Sequence, residues 1–390
     1  METTLWQRLD EIVTRTVGPM AARCDEESLF CGESVRALAE AGFMGLPYPP
    51  ELGGRGSSYE SYVRCVERLS KACPSVGVTY ATHVGLACHP LHAFGSPMQK
   101  ESFLRPMLRG DKLGAFALTE PEAGSDVGAV AATAELDGGF YVVNGHKVFI
   151  TNAGRADVYI LFARTGGQGT EGLSAFVVCS DDAGLLISAP QRKMGIRGAQ
   201  TCELFLRNLC IPADRLIGRP GDGFRIAMET LDGGRLGIAA QAVGIADAAF
   251  DEARARLKER RQFGRALEHF QGLRWKAADM WAKVEAARQQ WEGQKMMELS
   301  TQWVEEAEVE TTETFDNLSV ADFYEKLTAY RDTLMKESEE EAGTTDGQTN
   351  NGEGQTDAEE GKTDAAEGEA NTEEGKTDAA EGEANTEEGK

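Results

Sequence analysis

Only five histidines occur in the 390 residues, His83, His89, His92, His146 and His269, and none stands at a zinc-ligand spacing. His89 and His92 are three apart, but Pro90 between them favours a packed loop over a metal site. The eight cysteines, all between Cys24 and Cys210, form no Cys-x-x-Cys pair, and several sit in apolar stretches. That pattern predicts buried, reduced thiols in a cytosol-like compartment and a cytoplasmic protein. No apolar run approaches the roughly 18 residues that span a bilayer, and no uninterrupted apolar segment opens the chain. Neither a membrane span nor a secretory leader is therefore expected. Neither a Gly-x-Gly-x-x-Gly spacing nor a P-loop is expected in the chain. The net charge is −24, but residues 291–390 hold 30 of the 64 acidic side chains and 7 of the 40 basic ones. The first 290 residues are left near neutral, with 34 acidic against 33 basic. No basic patch is present to bind nucleic acid.

Hydrophobic content of 41% is enough for a real core, and the pattern changes three times along the chain. Residues 1–113 read as a helical domain. Val35, Leu38, Ala39 and Phe43 form a partial helical stripe, Tyr62, Val63, Val66 and Leu69 form another, and residues 76–94 are almost continuously apolar, as a buried helix would be. Residues 114–213 change to a strand pattern, with runs at 158–163, 173–179, 185–188 and 203–210. Gly138-Gly139 and Asn144-Gly145 punctuate residues 131–151, and Asn-Gly is a strong hairpin signal. Short strands without intervening helices predict an antiparallel β-barrel and disfavour a doubly wound nucleotide fold. Residues 222–290 return to helix. One stripe runs through Leu236, Ala239, Val243, Ala246, Phe250 and Leu257, with basic residues crowding its end and Gly264 as its stop. A second runs through Leu273, Ala277, Met280, Val284 and Ala287. Two such helices make an incomplete bundle. Residues 291–336 form a weakly helical segment. Beyond 337 apolar side chains other than alanine vanish, and GKTDAAEGEANTEE at 361–374 repeats at 375–388. Residues 337–390 are expected to be a disordered acidic tail.

Four places carry possible chemistry. Residues 119–126 (TEPEAGSD) supply two hydroxyls, on Thr119 and Ser125, and close backbone approach at Gly124. They suit a polar heterocycle or a phosphate, or make an Asx-type turn before an irregular loop. Phe149, Ile150 and Thr151 end a strand with an aromatic and a hydroxyl that flank a flat cofactor, unless the phenylalanine is simply core. Arg235 binds an anion or pairs with Asp232 on the same helix. Arg260, beside Phe263, holds pyrophosphate or merely compensates the helix dipole.

In combination and in this order these segments resemble the acyl-CoA dehydrogenase family. The matching motifs are Pro50-Glu51-Leu52-Gly53-Gly54, residues 114–126 (GAFALTEPEAGSD), 144–152 (NGHKVFITN), 194–198 (MGIRG), 231–244 (LDGGRLGIAAQAVG) and 260–264 (RRQFG). The resemblance covers about three quarters of the chain. It implies an α+β multidomain flavoenzyme: an N-terminal helical domain, a middle antiparallel β-barrel and a C-terminal helical bundle, here incomplete and followed by the acidic tail. It implies FAD as cofactor, contacted by Phe116, Leu118, Thr119, Gly124, Ser125, Phe149, Ile150 and Thr151. Leu118 and Thr119 would lie beside the isoalloxazine, Phe149 would cover one ring face, and the Thr151 hydroxyl would sit near N5. Arg260, Phe263 and Gln271 would reach the FAD of a neighbouring subunit in a dimer or tetramer. Ser125, Asp232 and Arg235 would serve the acyl-CoA, and the Gly-Gly form of that last motif is similar to members acting on short straight acyl chains. Electrons would pass to an electron-transferring flavoprotein.

The family reaction, α,β-dehydrogenation, needs a carboxylate base for the α-proton of a polarised thioester. Most of the family takes it from a Tyr-Glu-Gly-Thr-type motif late in the bundle, and that motif does not occur after Gln290. A branch places a glutamate just before the helix arginine, where this chain has Gly234. Glu298, Glu305 and Glu325 are available, but nothing singles one out. The sequence therefore reads as a dehydrogenase-like protein impaired by the missing base. The alternatives are a non-catalytic acyl-CoA, flavin or protein-binding module, and a flavin monooxygenase of the same fold.

Overall fold

The computed structural model describes residues 2–292; the weakly helical segment, the acidic tail, Glu298, Glu305 and Glu325 lie outside the described residues. The N-terminal part is helical: α1 (Glu2–Ile12), α2 (Gly18–Glu26), α3 (Gly32–Glu40), α4 (Tyr59–Ala72), α5 (Pro74–Ala81), α6 (Cys88–Phe94), α7 (Pro97–Gln99) and α8 (Arg105–Arg109). Single π-helical turns at Val13–Val17, Thr82–Ala87 and Lys100–Leu104 join α1 to α2, α5 to α6 and α7 to α8. The run at residues 74–94 is thus one continuous helical rod, and its largely apolar sequence matches its burial on nearly every side. Helix α4 starts where Ser58 caps it, its hydroxyl accepting the Ser61 N–H at 3.1 Å.

The middle part holds β1 (Gly114–Ala117), β2 (Thr133–Asp137), β3 (Phe140–Thr151), β4 (Val158–Arg164), β5 (Leu173–Cys179), β6 (Leu185–Ile187), β7 (Thr201–Pro212) and β8 (Leu216–Ile217). The expected antiparallel barrel is not what forms. The sheet is mixed, with the order β6-β7-β3-β2-β4-β5-β8. β1 runs parallel to β4 from Gly114↔Val158 to Ala117↔Leu161, and β2 meets β4 in parallel at Thr133↔Arg164. The two end strands, β6 and β8, do not pair with each other, so no closed ring of hydrogen bonds exists among the described residues. The parallel pairs arise because a long excursion, residues 118–132, separates β1 from β2 and no tight turn fixes their direction.

Two further sequence expectations change. The hairpin turn is Gly138-Gly139, both at positive φ between β2 and β3. Asn144-Gly145 instead lies inside β3 at a register shift against β7. A side chain at Gly145 would come within 2.4 Å of the Ala132 Cβ, so this glycine serves a close strand approach. A Gly-x-Gly-x-x-Gly spacing also occurs at residues 167–172, but it joins antiparallel β4 and β5 and opens no helix, so it is not a dinucleotide fingerprint.

The C-terminal part has α9 (Gly223–Glu259), then a small hairpin of β9 (Arg261–Gln262) and β10 (Arg265–Ala266), then α10 (Gln271–Glu292). Helix α9 stops five residues before Gly264. Phe263 and Gly264 both take positive φ and turn the chain back, a primed-type hairpin turn. α9 lies tightly across α4: a side chain at Gly244 would meet the Glu67 carbonyl at 2.4 Å. Arg288 of α10 ties the three helices together, reaching Glu67 at 2.8 Å and Asp247 at 3.0 Å, while Lys71 of α4 bridges Asp247 and Asp251 of α9.

β4 explains how the parts share one core. Val158, Ile160 and Phe162 join the helical core, while Tyr159, Leu161 and Ala163 join a second cluster on the opposite face of the sheet. Burial on both faces is why its sequence is an unbroken apolar run. Two polar side chains stitch helices to sheet inside this core. Asn152 donates from Nδ2 to the Thr79 carbonyl at 3.1 Å and the Gly114 carbonyl at 3.0 Å. His83 accepts the Gly114 N–H on Nδ1 at 2.9 Å and faces the Met107 carbonyl with Nε2 at 3.1 Å. That geometry requires the neutral ring with its proton on Nε2.

Burial pushes His83 down to about 4 from an ordinary 6.5. As pH falls from 6.5 towards 4, the unfolded chain binds a proton that folded His83 refuses, so stability is lost across that window, by up to about 3 kcal/mol. His83→Gln is expected to flatten the decline. Urea midpoints of the two proteins measured between pH 4 and 7 check this; parallel curves would show that His83 does not set the slope.

Candidate functional site

The site is built on a buried lysine. Lys147 of β3 is fully buried, its Nζ donating to the Leu118 carbonyl at 2.9 Å and to Glu120 Oε1 at 2.7 Å. Burial pushes Lys147 down to about 8, and the Glu120 carboxylate opposes that shift. Glu120 also accepts the N–H groups of Ala131 and Ala132, at 2.7 and 3.1 Å. One carboxylate therefore gathers both ends of residues 118–132 onto β3, and the Val148 N–H adds a bond to the Thr119 carbonyl at 2.9 Å. Within the loop, Glu120 and Ala123 exchange backbone hydrogen bonds, so the loop begins as a tight turn. Its far end is held by Arg164, whose guanidinium donates to the carbonyls of Gly128 and Val130. Between these anchors Gly124, Ser125 and Asp126 are exposed.

Across from this loop β3 is bulged. Its pairing with β7 slips between Lys147 and Ile150, and Phe149 takes φ +59° with its side chain 66% exposed. A bulky residue on left-handed backbone holds a strained conformation, and such strain gathers at ligand sites. The bulge turns the phenyl ring out of the core beside the latched loop. A core role for Phe149 is thereby excluded.

The expected site residues divide accordingly. Thr119, Gly124, Ser125, Phe149 and Thr151 are exposed or half-buried near the latch. Phe116, Leu118 and Ile150 point into the interior. Phe116 packs on Phe162 with ring centroids 4.9 Å apart, so these three offer backbone rather than side chain. Asp232 and Arg235 form the i, i+3 ion pair at 3.2 Å and are both exposed. Arg260, Phe263 and Gln271 are exposed on and after the hairpin, Phe263 by 92%. Sequence reasoning missed Lys147, Glu120 and Arg164. The one available signal was a charged residue in mid-strand, since a lysine flanked by Val148 and Ile150 must be paired if its strand is buried.

A flat ring fits the exposed Phe149 face, and the side-chain-free Gly124, with no atom within 4 Å of where a Cβ would stand, leaves room for close backbone approach. Metal chemistry finds less support. Cys179, Asp181 and Asp182 lie close together, but the Asp182 carboxylate is engaged by Arg215 at 2.7 Å and by the Cys179 N–H at 2.7 Å.

Three consecutive family models match the chain: acyl-CoA dehydrogenase, N-terminal domain, over residues 2–111; middle domain over 115–209; and C-terminal domain over 221–310. The chain is 46% identical over 283 residues to the short-chain specific acyl-CoA dehydrogenase of Clostridium acetobutylicum, an alignment covering 72% of this chain and 75% of that protein. Butyryl-CoA dehydrogenase from Megasphaera elsdenii has a similar structure, with TM-score 0.72 and 39% identity over 73% of this chain and 76% of that one. So has a chain from a structure of the electron transferring flavoprotein of Acidaminococcus fermentans, with TM-score 0.74 and 40% identity over 76% of this chain and 78% of that one. On these matches and the three-part architecture, the chain belongs to the acyl-CoA dehydrogenase family.

Proposed function

We propose that this protein binds FAD and a short-chain acyl-CoA thioester and carries out α,β-dehydrogenation slowly, because the motif that carries the usual glutamate base does not occur after Gln290 and position 234 is glycine. The observation that carries the reading is the outward ring of Phe149 on its strained bulge, one residue from Val148, whose N–H bonds the Thr119 carbonyl of the loop latched by Lys147 and Glu120. When bound, the flavin supplies the hydride acceptor. Phe149 would cover the ring, the backbone of Leu118 and Thr119 would border it, and the Thr151 hydroxyl would help to hold it. Ser125, on the exposed tip, serves both cofactor and thioester. The Asp232–Arg235 pair orients the acyl-CoA. Similarity to short-chain and butyryl-CoA dehydrogenases supports the chain-length assignment, and the Acidaminococcus neighbour supports an electron-transferring flavoprotein as acceptor.

A second copy completes the site in this reading. Arg260, Phe263 and Gln271 stand clear of their own chain, and Ile238, Ile245, Trp275, Met280 and Trp281 are exposed on α9 and α10. Position 234 lies against Leu86. A side chain there would meet the Leu86 Cδ2 at 2.6 Å and must displace it. The domain limits 1–113, 114–213 and 222–290 are part of the same proposal.

Two experiments test it. Anaerobic butyryl-CoA added to the flavin-loaded protein is expected to bleach the flavin roughly 10²–10⁴-fold more slowly than in a relative with its base, the usual cost of losing one. Bleaching at full speed would refute the impairment, and a folded protein that stays colourless in excess FAD would refute the flavin site. Lys147→Met should leave Glu120 buried without its cation and cost about 3–5 kcal/mol of stability. Flavin retention on gel filtration should fall with it; retention at wild-type level would show that the latch does not position the loop.

A further inference from the structure

A second side-chain pair lies on the bulge of β3, on the face away from the latch. Successive strand residues point to opposite faces, so His146 turns outward where Lys147 enters the core. His146 donates from Nε2 to Glu203 Oε2 at 2.7 Å, since a carboxylate can only accept. Its imidazole lies on the Phe205 ring across the ladder, with centroids 4.4 Å apart and planes 13° from parallel, which fixes its aim. Glu203 is held from its other side by residues leaving β6. Gln191 Nε2 donates to its Oε1 at 3.3 Å, the Glu203 N–H donates to the Ser188 hydroxyl at 2.9 Å, and its carbonyl accepts the Ser188 N–H at 3.0 Å. The hydrogen bonds from His146 and Gln191 hold the Glu203 carboxyl below its ordinary range.

The place of this pair gives it a role. Lys147 faces Leu204 and Ile150 faces Cys202, so Val148 and Phe149 both stand against the single residue Glu203. At that point two N–H groups leave the ladder, Val148 for the Thr119 carbonyl and Glu203 for the Ser188 hydroxyl. The His146–Glu203 bond crosses from β3 to β7 at this interruption. Phe149 sits there at φ +59°, and such strain persists only where the surroundings over-determine it. We propose that His146 and Glu203 are positioning residues for the flavin: their bond clamps the bulge from outside and keeps the Phe149 ring turned out for the cofactor to stack on. The proposal rests on the reading that a flavin stacks on Phe149. Both side chains of the pair are half-buried. A pair of that kind adds little to a whole fold, but the strain of one residue is of similar size, so its effect falls on the bulge.

The test uses the full-length protein and three substitutions. His146→Leu removes the donor, Glu203→Ala removes the acceptor, and Glu203→Gln keeps an acceptor in place. FAD affinity is measured by titrating flavin-free protein, and hydrogen exchange of peptides covering residues 146–152 is followed without flavin. His146→Leu and Glu203→Ala are expected to weaken FAD binding about two- to fivefold. They should also speed exchange at residues 146–152 and leave the peptides of α4 unchanged, while Glu203→Gln stays close to wild type in both measurements. Unchanged affinity and exchange in the first two variants, a loss in Glu203→Gln as large as in Glu203→Ala, or faster exchange across the whole sheet would each overturn the proposal. A wild-type protein that takes up no FAD would instead overturn the flavin reading on which the clamp rests. Equal FAD affinity in the wild type and all three variants would overturn the clamp alone.

Discussion

A buried ion pair decides the shape of the candidate site. Lys147 and Glu120 lie in the core, and Glu120 takes three donors while Lys147 meets a carboxylate and a carbonyl. Such pairs contribute little net stability, because desolvation offsets most of the attraction, but they penalise every arrangement that separates them. The penalty applies here to a 15-residue excursion between β1 and β2 with no regular structure long enough to fix itself. With the pair made, the loop has one position against β3. Without it, the loop would be left to the Val148–Thr119 bond and the Arg164 contacts with Gly128 and Val130.

The same economy of polar groups joins helices to sheet. Gly114, at the start of β1, has its N–H on His83 and its carbonyl on Asn152, and Asn152 reaches back to Thr79 in α5. These bonds cross between apolar surfaces and would be costly unmade. They fix β1, and β1 leads directly into the latched loop. The proposed pocket is thus an outcome of how the helical rod of residues 74–94 meets the sheet, not a feature of the loop alone.

Much of this was legible in the sequence, and the failures have physical causes. Helix α4 could be read from Tyr62, Val63, Val66 and Leu69 because one face is buried and the other wet. β4 could be read as a strand, but not its partners, since a run buried on both faces carries no register. The barrel was misjudged because parallel pairing depends on a long loop whose path has no local signature. Asn144-Gly145 looked like a turn, yet it sits where β3 must approach Ala132 closely, so tertiary packing claimed the glycine. Phe149 could not be assigned from spacing, because its outward aim depends on one extra residue in a strand pairing. Lys147 was overlooked because its partner lies 27 positions away, and no periodicity links the two.

Cofactor holding and proton abstraction occupy separate parts of such a molecule, and that separation is what makes the proposed reading coherent. The latch and the β1 anchors lie between residues 79 and 164 with partners inside that span, and the bulge forms against β7 at Cys202–Leu204. In the proposed reading, a missing carboxylate base would remove a step in the chemistry without removing the bonds that hold the loop against β3. The same reasoning applies to Gly234. A side chain there would stand 2.6 Å from the Leu86 Cδ2, so a glutamate at 234 would need the Leu86 side chain to move, while the neighbouring Gly233 accepts the Tyr59 hydroxyl on its carbonyl at 2.7 Å.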